Sequence, residues 1–286
     1  MKLGKIAGVS FRFNLFFLFL CILYSYLGLL CEILMIIAAL LIHEMAHALV
    51  AAGLEIKISE VELFPFGGQA KVQDFTGLEP EKEIYLALAG PLISLSVAAF
   101  LYFLDINPGS SNLQFFIKMN FYLAVFNFLP ALPLDGGRAF RALISPFIGY
   151  KKASRLAAVS GKIIAMAISA YGCYLSYIDF SGANYILIGA FLYWAARREE
   201  KNLIYAFMRF LLKKKGELKQ KGFLSSRQIV CQFHTPLKAI LDSSSPHYYI
   251  LAVVLDEGHN VIGIYTEAQL IECLLEKGPG ATFKDV

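Results

Sequence analysis

The chain has 286 residues, 57% of them hydrophobic and only 17% charged, with a net charge of +4. Soluble domains carry about a quarter charged residues, so this composition excludes a disordered chain, a coiled coil and an ordinary water-soluble enzyme. The five cysteines (Cys21, Cys31, Cys173, Cys231 and Cys273) are odd in number and have no C-x-x-C spacing, which indicates neither a disulfide framework nor a thiolate zinc site.

The first apolar block runs from Phe13 to Cys31 behind Lys2, Lys5 and Arg12. It is long for a signal peptide and lacks a small-residue cleavage site, so it reads as an uncleaved helix. Further blocks follow at Ile33–Leu54, Ile84–Leu104, Leu113–Leu129, Ile163–Ile178 and Ala183–Ala196. The expected fold is mainly α: a polytopic membrane protein with six transmembrane helices. Positive charge falls on alternate sides. Lys57, Lys71 and Lys82 follow the second block, Arg138 to Lys162 follow the fourth, and Arg197 to Lys215 follow the sixth. The other loops carry none, which predicts two cytoplasmic termini.

Two stretches break the helical pattern. Ile56–Val72 alternates and then reads Phe-Pro-Phe-Gly-Gly, predicting a membrane-associated β-hairpin with Gly67-Gly68 at its turn. A strand edge at membrane depth must be covered by protein or line a wet cavity. The fourth block ends in Asn127-Phe-Leu-Pro-Ala-Leu-Pro133-Leu-Asp135-Gly-Gly, where prolines and glycines stop the helix and predict Asp135 on a fixed loop. Beyond a basic helical connector at 201–222, residues 223–286 alternate short helices and strands, as in a small cytosolic α/β domain. Residues 1–200 form the membrane domain.

The chemistry centres on His43-Glu44-Met-Ala-His47 inside the second block. Residues i and i+4 share a helix face, so both imidazoles can address one ion, with Glu44 beside them to take a proton from water. Ionisable groups within a span are costly and mark function. Interior hydrogen bonding between helices is the plainer alternative. A catalytic zinc needs a third protein ligand. His43 and His47 lie about 15 and 21 Å in from Ile33 at 1.5 Å per residue. Asp135 follows a span running the same way, whereas Asp105 and Asp179 fall at the opposite face. A turn role for Asp135 ahead of Gly136-Gly137 is the alternative.

HExxH in one span with N-x-x-P-x-x-P-L-D-G-G after a later one resembles the site-2 protease family of intramembrane zinc proteases, over residues 10–200 or so. The resemblance is strongest to its sporulation members. It implies His43, His47 and Asp135 as zinc ligands and Glu44 as the base. It also implies Asn127 near the substrate backbone or oxyanion, and substrate contacts from Phe66, Gly67, Gly68 and Pro133. From spacing alone, Asn127 could equally bridge helices. The implied substrate is a membrane-associated sigma-factor precursor, pro-sigma-K, cut near the cytoplasmic leaflet. Inhibitory membrane proteins are implied as partners, and the location is a bacterial cell membrane or the membrane around a forespore. Direct nucleic-acid binding is not expected.

Residues 229–286 resemble a single CBS motif, which implies pairing into a homo-oligomer and raises ATP as a ligand. Gln269 stands where such motifs carry the acid that contacts ribose, so a docking or dimerisation module is the alternative. The competing whole-protein readings are a metal transporter, which has no use for Glu44, and a non-catalytic scaffold.

Overall fold

The computed structural model describes residues 2–6, 9–13, 26–56, 58–64, 67–72, 79–104, 110–179, 182–245, 248–278 and 280–286. Most of the first apolar block lies outside them, as does Phe66. The chain forms two compact units: Met1–Phe75, Lys82–Pro130 and Leu134–Ala139, then Thr76–Glu81, Ala131–Pro133 and Phe140–Val286.

In the first unit, β1 (Lys2–Ile6), β2 (Val9–Phe13), β3 (Ile58–Phe64) and β4 (Gly67–Val72) make one sheet in that order. β1–β2 and β3–β4 are antiparallel and β2–β3 parallel. The predicted hairpin is present, but Gly67 and Gly68 pair with Phe64 and Leu63 and so open β4. They are not the turn. The basic N-terminal segment, expected only to lead into a span, supplies two more strands.

Helix α1 (Leu30–Gly53) follows β2 in the chain, and α2 (Pro80–Phe103) and α3 (Ser111–Phe128) follow β4. At 24 residues, α1 and α2 each reach about 36 Å, enough for a hydrocarbon core of about 30 Å. Pro80 sits at the start of α2, where its missing N–H costs nothing. The Ser110 hydroxyl caps α3 by accepting from the Leu113 N–H. α1 packs on α3.

The second unit holds α5 (Tyr150–Asp179) and α6 (Ala183–Lys221), packed on each other. Helix α4 (Asp135–Ile148) begins in the first unit and ends in the second. Asp135 is therefore the first residue of a helix and not part of a loop: the predicted break occurs, but it ends one residue earlier. The sixth apolar block continues without interruption into the basic connector as α6.

Three described helices are long and apolar enough to cross a membrane: Leu30–Gly53, Pro80–Phe103 and Tyr150–Ile178. Their burial is inverted relative to a water-soluble protein. Many buried positions are small, among them Ala39, Ala51, Ala98, Ala157 and Ala165, while Phe100, Phe103 and Tyr174 are exposed. Small residues let helix backbones approach, and large apolar ones face lipid. The chain is a membrane protein.

Residues 226–277 carry β5 (Ser226–Gln232), α7 (Leu237–Leu241), β6 (Tyr249–Leu255), β7 (Val261–Thr266) and α8 (Glu267–Lys277). The sheet order is β5-β6-β7, the first pair parallel and the second antiparallel. Here the core is of the water-soluble kind: Leu237, Leu241, Ile250, Val254 and Leu270 are buried. One member comes from elsewhere. Tyr150, at the start of α5, is 2% exposed within this cluster. Its backbone N–H donates to Ser244 O at 3.1 Å, and Lys151 Nζ donates to Asp242 Oδ1 at 2.5 Å.

Candidate metal centre

The motif on α1 turns its chemistry inward. His43, Glu44 and His47 are buried, while Met45 between them is 42% exposed. The 3.6-residue period explains this: positions 43, 44 and 47 share a face and 45 lies opposite. Asp135 reaches the same place from the start of α4, where a carboxylate also suits the positive end of the helix dipole. The glycine after it has a steric reason. A Cβ at Gly136 would lie 2.4 Å from Phe128 O and 2.5 Å from Leu129 O, so only glycine lets the chain fold back this closely on the end of α3.

The three side chains converge on one oxygen. Asp135 Oδ2 is 3.1 Å from His43 Nε2 and 3.2 Å from His47 Nε2. Its other oxygen, Oδ1, is 3.7 Å from the Arg138 guanidinium one turn on. The backs of both rings are held by α2. His47 Nδ1 is 2.7 Å from Leu86 O, and His43 Nδ1 is 3.0 Å from Ser94 Oγ. A carbonyl only accepts, so His47 carries its proton on Nδ1. In the neutral ring, Nε2 then presents a lone pair toward the carboxylate oxygen, and a proton or a metal ion between the two completes the contact.

Zinc fits this donor set. Two ligand atoms about 2.0–2.1 Å from zinc at the tetrahedral angle stand about 3.3 Å apart, close to the separations seen. Gly90 provides room. A Cβ there would lie 2.3 Å from His47 Nε2 and 2.6 Å from His43 Nε2, the ligand atoms themselves. Among the described residues, this trio is the group of His, Cys, Asp and Glu side chains disposed to hold a metal ion.

Asn127 is half-buried and donates its side-chain amide to Leu123 O at 3.0 Å, on its own helix. No hydrogen bond links it to the trio among the described residues. Pro133 follows a cis peptide bond in the break before α4. Gly67 and Gly68 lie in β4. Sequence reasoning missed Arg138, counted only as a topological charge, and the α2 residues Leu86, Gly90 and Ser94. Gly90 lies in an Ala89-Gly90-Pro91 triplet, whose small residues suit a close approach to α2. The close approach is to the imidazoles.

Residues 31–110 and 105–170 match peptidase family M50. The chain is 27% identical over 278 residues to the zinc metalloprotease MJ0392 of Methanocaldococcus jannaschii, covering 92% of this chain and 78% of that one. It is 29% identical over 189 residues to stage IV sporulation protein FB of Bacillus subtilis, covering 65% of this chain and 63% of that protein. Its fold is similar to the solved site-2 protease from Methanocaldococcus jannaschii, with a TM-score of 0.56 and 30% identity, covering 70% of this chain and 94% of that one. A metalloprotease signature on an apolar helix, an aspartate closing the ligand set and these likenesses lead to one assignment: the chain belongs to peptidase family M50, the site-2 proteases.

Proposed function

We propose that the protein is an intramembrane zinc endopeptidase that cuts a membrane-associated regulatory protein near the cytoplasmic leaflet. His43, His47 and Asp135 hold the zinc and Glu44 is the general base. The convergence of both Nε2 atoms on Asp135 Oδ2, with their rings pinned from behind, carries this reading. Zinc, when bound, supplies the Lewis acidity that polarises a peptide carbonyl and acidifies water. Glu44 accepts the proton of the attacking water and returns it to the leaving nitrogen. The buried setting strengthens these charge interactions. Asn127, Phe66, Gly67, Gly68 and Pro133 are proposed as substrate contacts, with β4 offering its backbone to an unwound segment as an added strand.

Within that activity we infer pro-sigma-K, a sporulation sigma-factor precursor, as the substrate, with inhibitory membrane proteins as further partners. The likeness to the Bacillus sporulation protein supports it. The archaeal relative matches more of the chain, which favours another membrane-anchored regulator as the second reading. Six spans, cytoplasmic termini and the division into residues 1–200, 201–222 and 223–286 complete the proposal.

The last segment is proposed to be a CBS-like docking and pairing module. Val230 and Ile264, each 63% exposed, flank Val253 across its three strands, an apolar row suited to a second copy. ATP has less support. Gln269 is engaged in a capping box, its Oε1 accepting from the Thr266 N–H at 2.8 Å.

The test is co-expression with pro-sigma-K, comparing wild type with Glu44→Gln. Cleavage should fall by about 10²–10⁴-fold while zinc content is unchanged. Normal turnover by the mutant rejects the protease mechanism. An active wild type that spares pro-sigma-K but cuts another tethered segment selects the second reading.

A further inference from the structure

Helix α2 presents three residues to the histidines at a spacing of four: Leu86, Gly90 and Ser94. That spacing is one helix face. Leu86 gives its carbonyl to His47, Gly90 leaves space at the two Nε2 atoms, and Ser94 meets His43. The two contacts differ in kind. His47 is oriented by backbone, which no side-chain change removes. His43 is oriented by a hydroxyl, 0% exposed and 51 residues away in sequence.

We propose that Ser94 is a positioning residue for the metal: its hydroxyl oxygen accepts the Nδ1–H of His43, and so fixes the tautomer and ring angle that aim Nε2 at the ion. The inference rests on His43 being a zinc ligand. Its physical basis is that an imidazole bound through Nε2 must carry its proton on Nδ1. An acceptor behind the ring raises ligand basicity and removes the freedom the ring would otherwise lose on binding. The arrangement makes His43 the more adjustable of the two imidazole ligands.

The experiment measures zinc affinity of the full-length protein in detergent by competition with a fluorescent chelator, and the visible absorption of the cobalt-substituted protein. Ser94→Ala should bind zinc about 10–100-fold more weakly and change the cobalt spectrum. Ser94→Thr, which keeps the hydroxyl, should stay within about threefold of wild type. Ser96→Ala is the matched control, because the Ser96 hydroxyl is spent on Leu92 O at 2.8 Å on an exposed face of the same helix. It should leave both readings unchanged. Wild-type affinity in Ser94→Ala overturns the inference. Equal losses in the Ala and Thr variants also overturn it, since residue 94 would then act by packing and not through its hydroxyl. His43→Ala separates this from the ligand assignment: if that variant keeps zinc at wild-type affinity, the assignment itself fails.

Discussion

Two buried carboxylates open helices in this chain, and their surroundings are opposite. Glu267, the first residue of α8, is 1% exposed and accepts from Ser244 Oγ at 2.5 Å and from the Ile250 N–H at 3.0 Å. Asp135, the first residue of α4, is 8% exposed and faces the Nε2 atoms of two imidazoles, one of which donates its Nδ1–H to the Leu86 carbonyl. Donors surround the first, and it is complete. The second has the Arg138 guanidinium by one oxygen and two ring nitrogens by the other, a set that can close around a metal cation. Burial alone, or position on a helix, would have grouped them together. What separates structure from chemistry here is which partner atoms carry hydrogen.

The sharpest way to break that contrast is to neutralise each acid. Asp135→Asn should lower zinc affinity by more than the roughly 100-fold that loss of an outer-shell partner costs, and abolish cleavage. The amide offers a weaker ligand at the same shape. Metal analysis beside a cleavage assay reads this, and zinc retained at wild-type stoichiometry would return Asp135 to the role of a turn residue.

A smaller loss is expected from Gly90→Ala. In an exposed helix that change stabilises by about 1 kcal/mol. Here the added methyl would stand where the Nε2 atoms must meet a metal, so zinc affinity should drop at least about tenfold even if thermal stability rises. Zinc affinity equal to wild type would mean that α2 can retreat and that Gly90 is a packing residue only.

The smallest effect belongs to Glu267→Gln. It removes a charge that accepts two hydrogen bonds, and should cost the 226–286 region about 1–3 kcal/mol while zinc binding stays intact. Hydrogen exchange at Ile250 and its neighbours in the full chain measures it. A loss of zinc with unchanged exchange would erase the distinction drawn between the two acids.

The HExxH helix and Asp135 were legible because helical spacing and a polar residue beside apolar blocks are properties of the sequence itself. The α2 contributions were not, because nothing local marks Ser94 as lying opposite His43. The strands were read unevenly. β6 alternates buried and half-buried positions in an unbroken apolar run, so it stood out. β5, Ser-Arg-Gln-Ile-Val-Cys-Gln, lies at the sheet edge with one polar end, and its parallel partner begins only at Tyr249, so no turn signal flags it. β1 and β2 are hidden in the sequence because Lys2, Lys5 and Arg12 read equally well as charges flanking a span. Gly67-Gly68 looked like a turn because glycine pairs usually are. Here Gly67 and Gly68 pair with Phe64 and Leu63 as members of β4.

Tyr150 has a consequence for biosynthesis. Synthesis runs from the N-terminus, so this side chain is in place well before the segment from Leu237 to Phe283, which supplies the other members of its cluster, has been made. The late-arriving residues thus condense around one that is already anchored at the head of α5, with Lys151 and the Tyr150 N–H ready to receive Asp242 and Ser244. A recombinant fragment cut at residue 223 begins folding without that template, and its core lacks the buried tyrosine. A fragment boundary drawn ahead of Gly149 keeps the core whole.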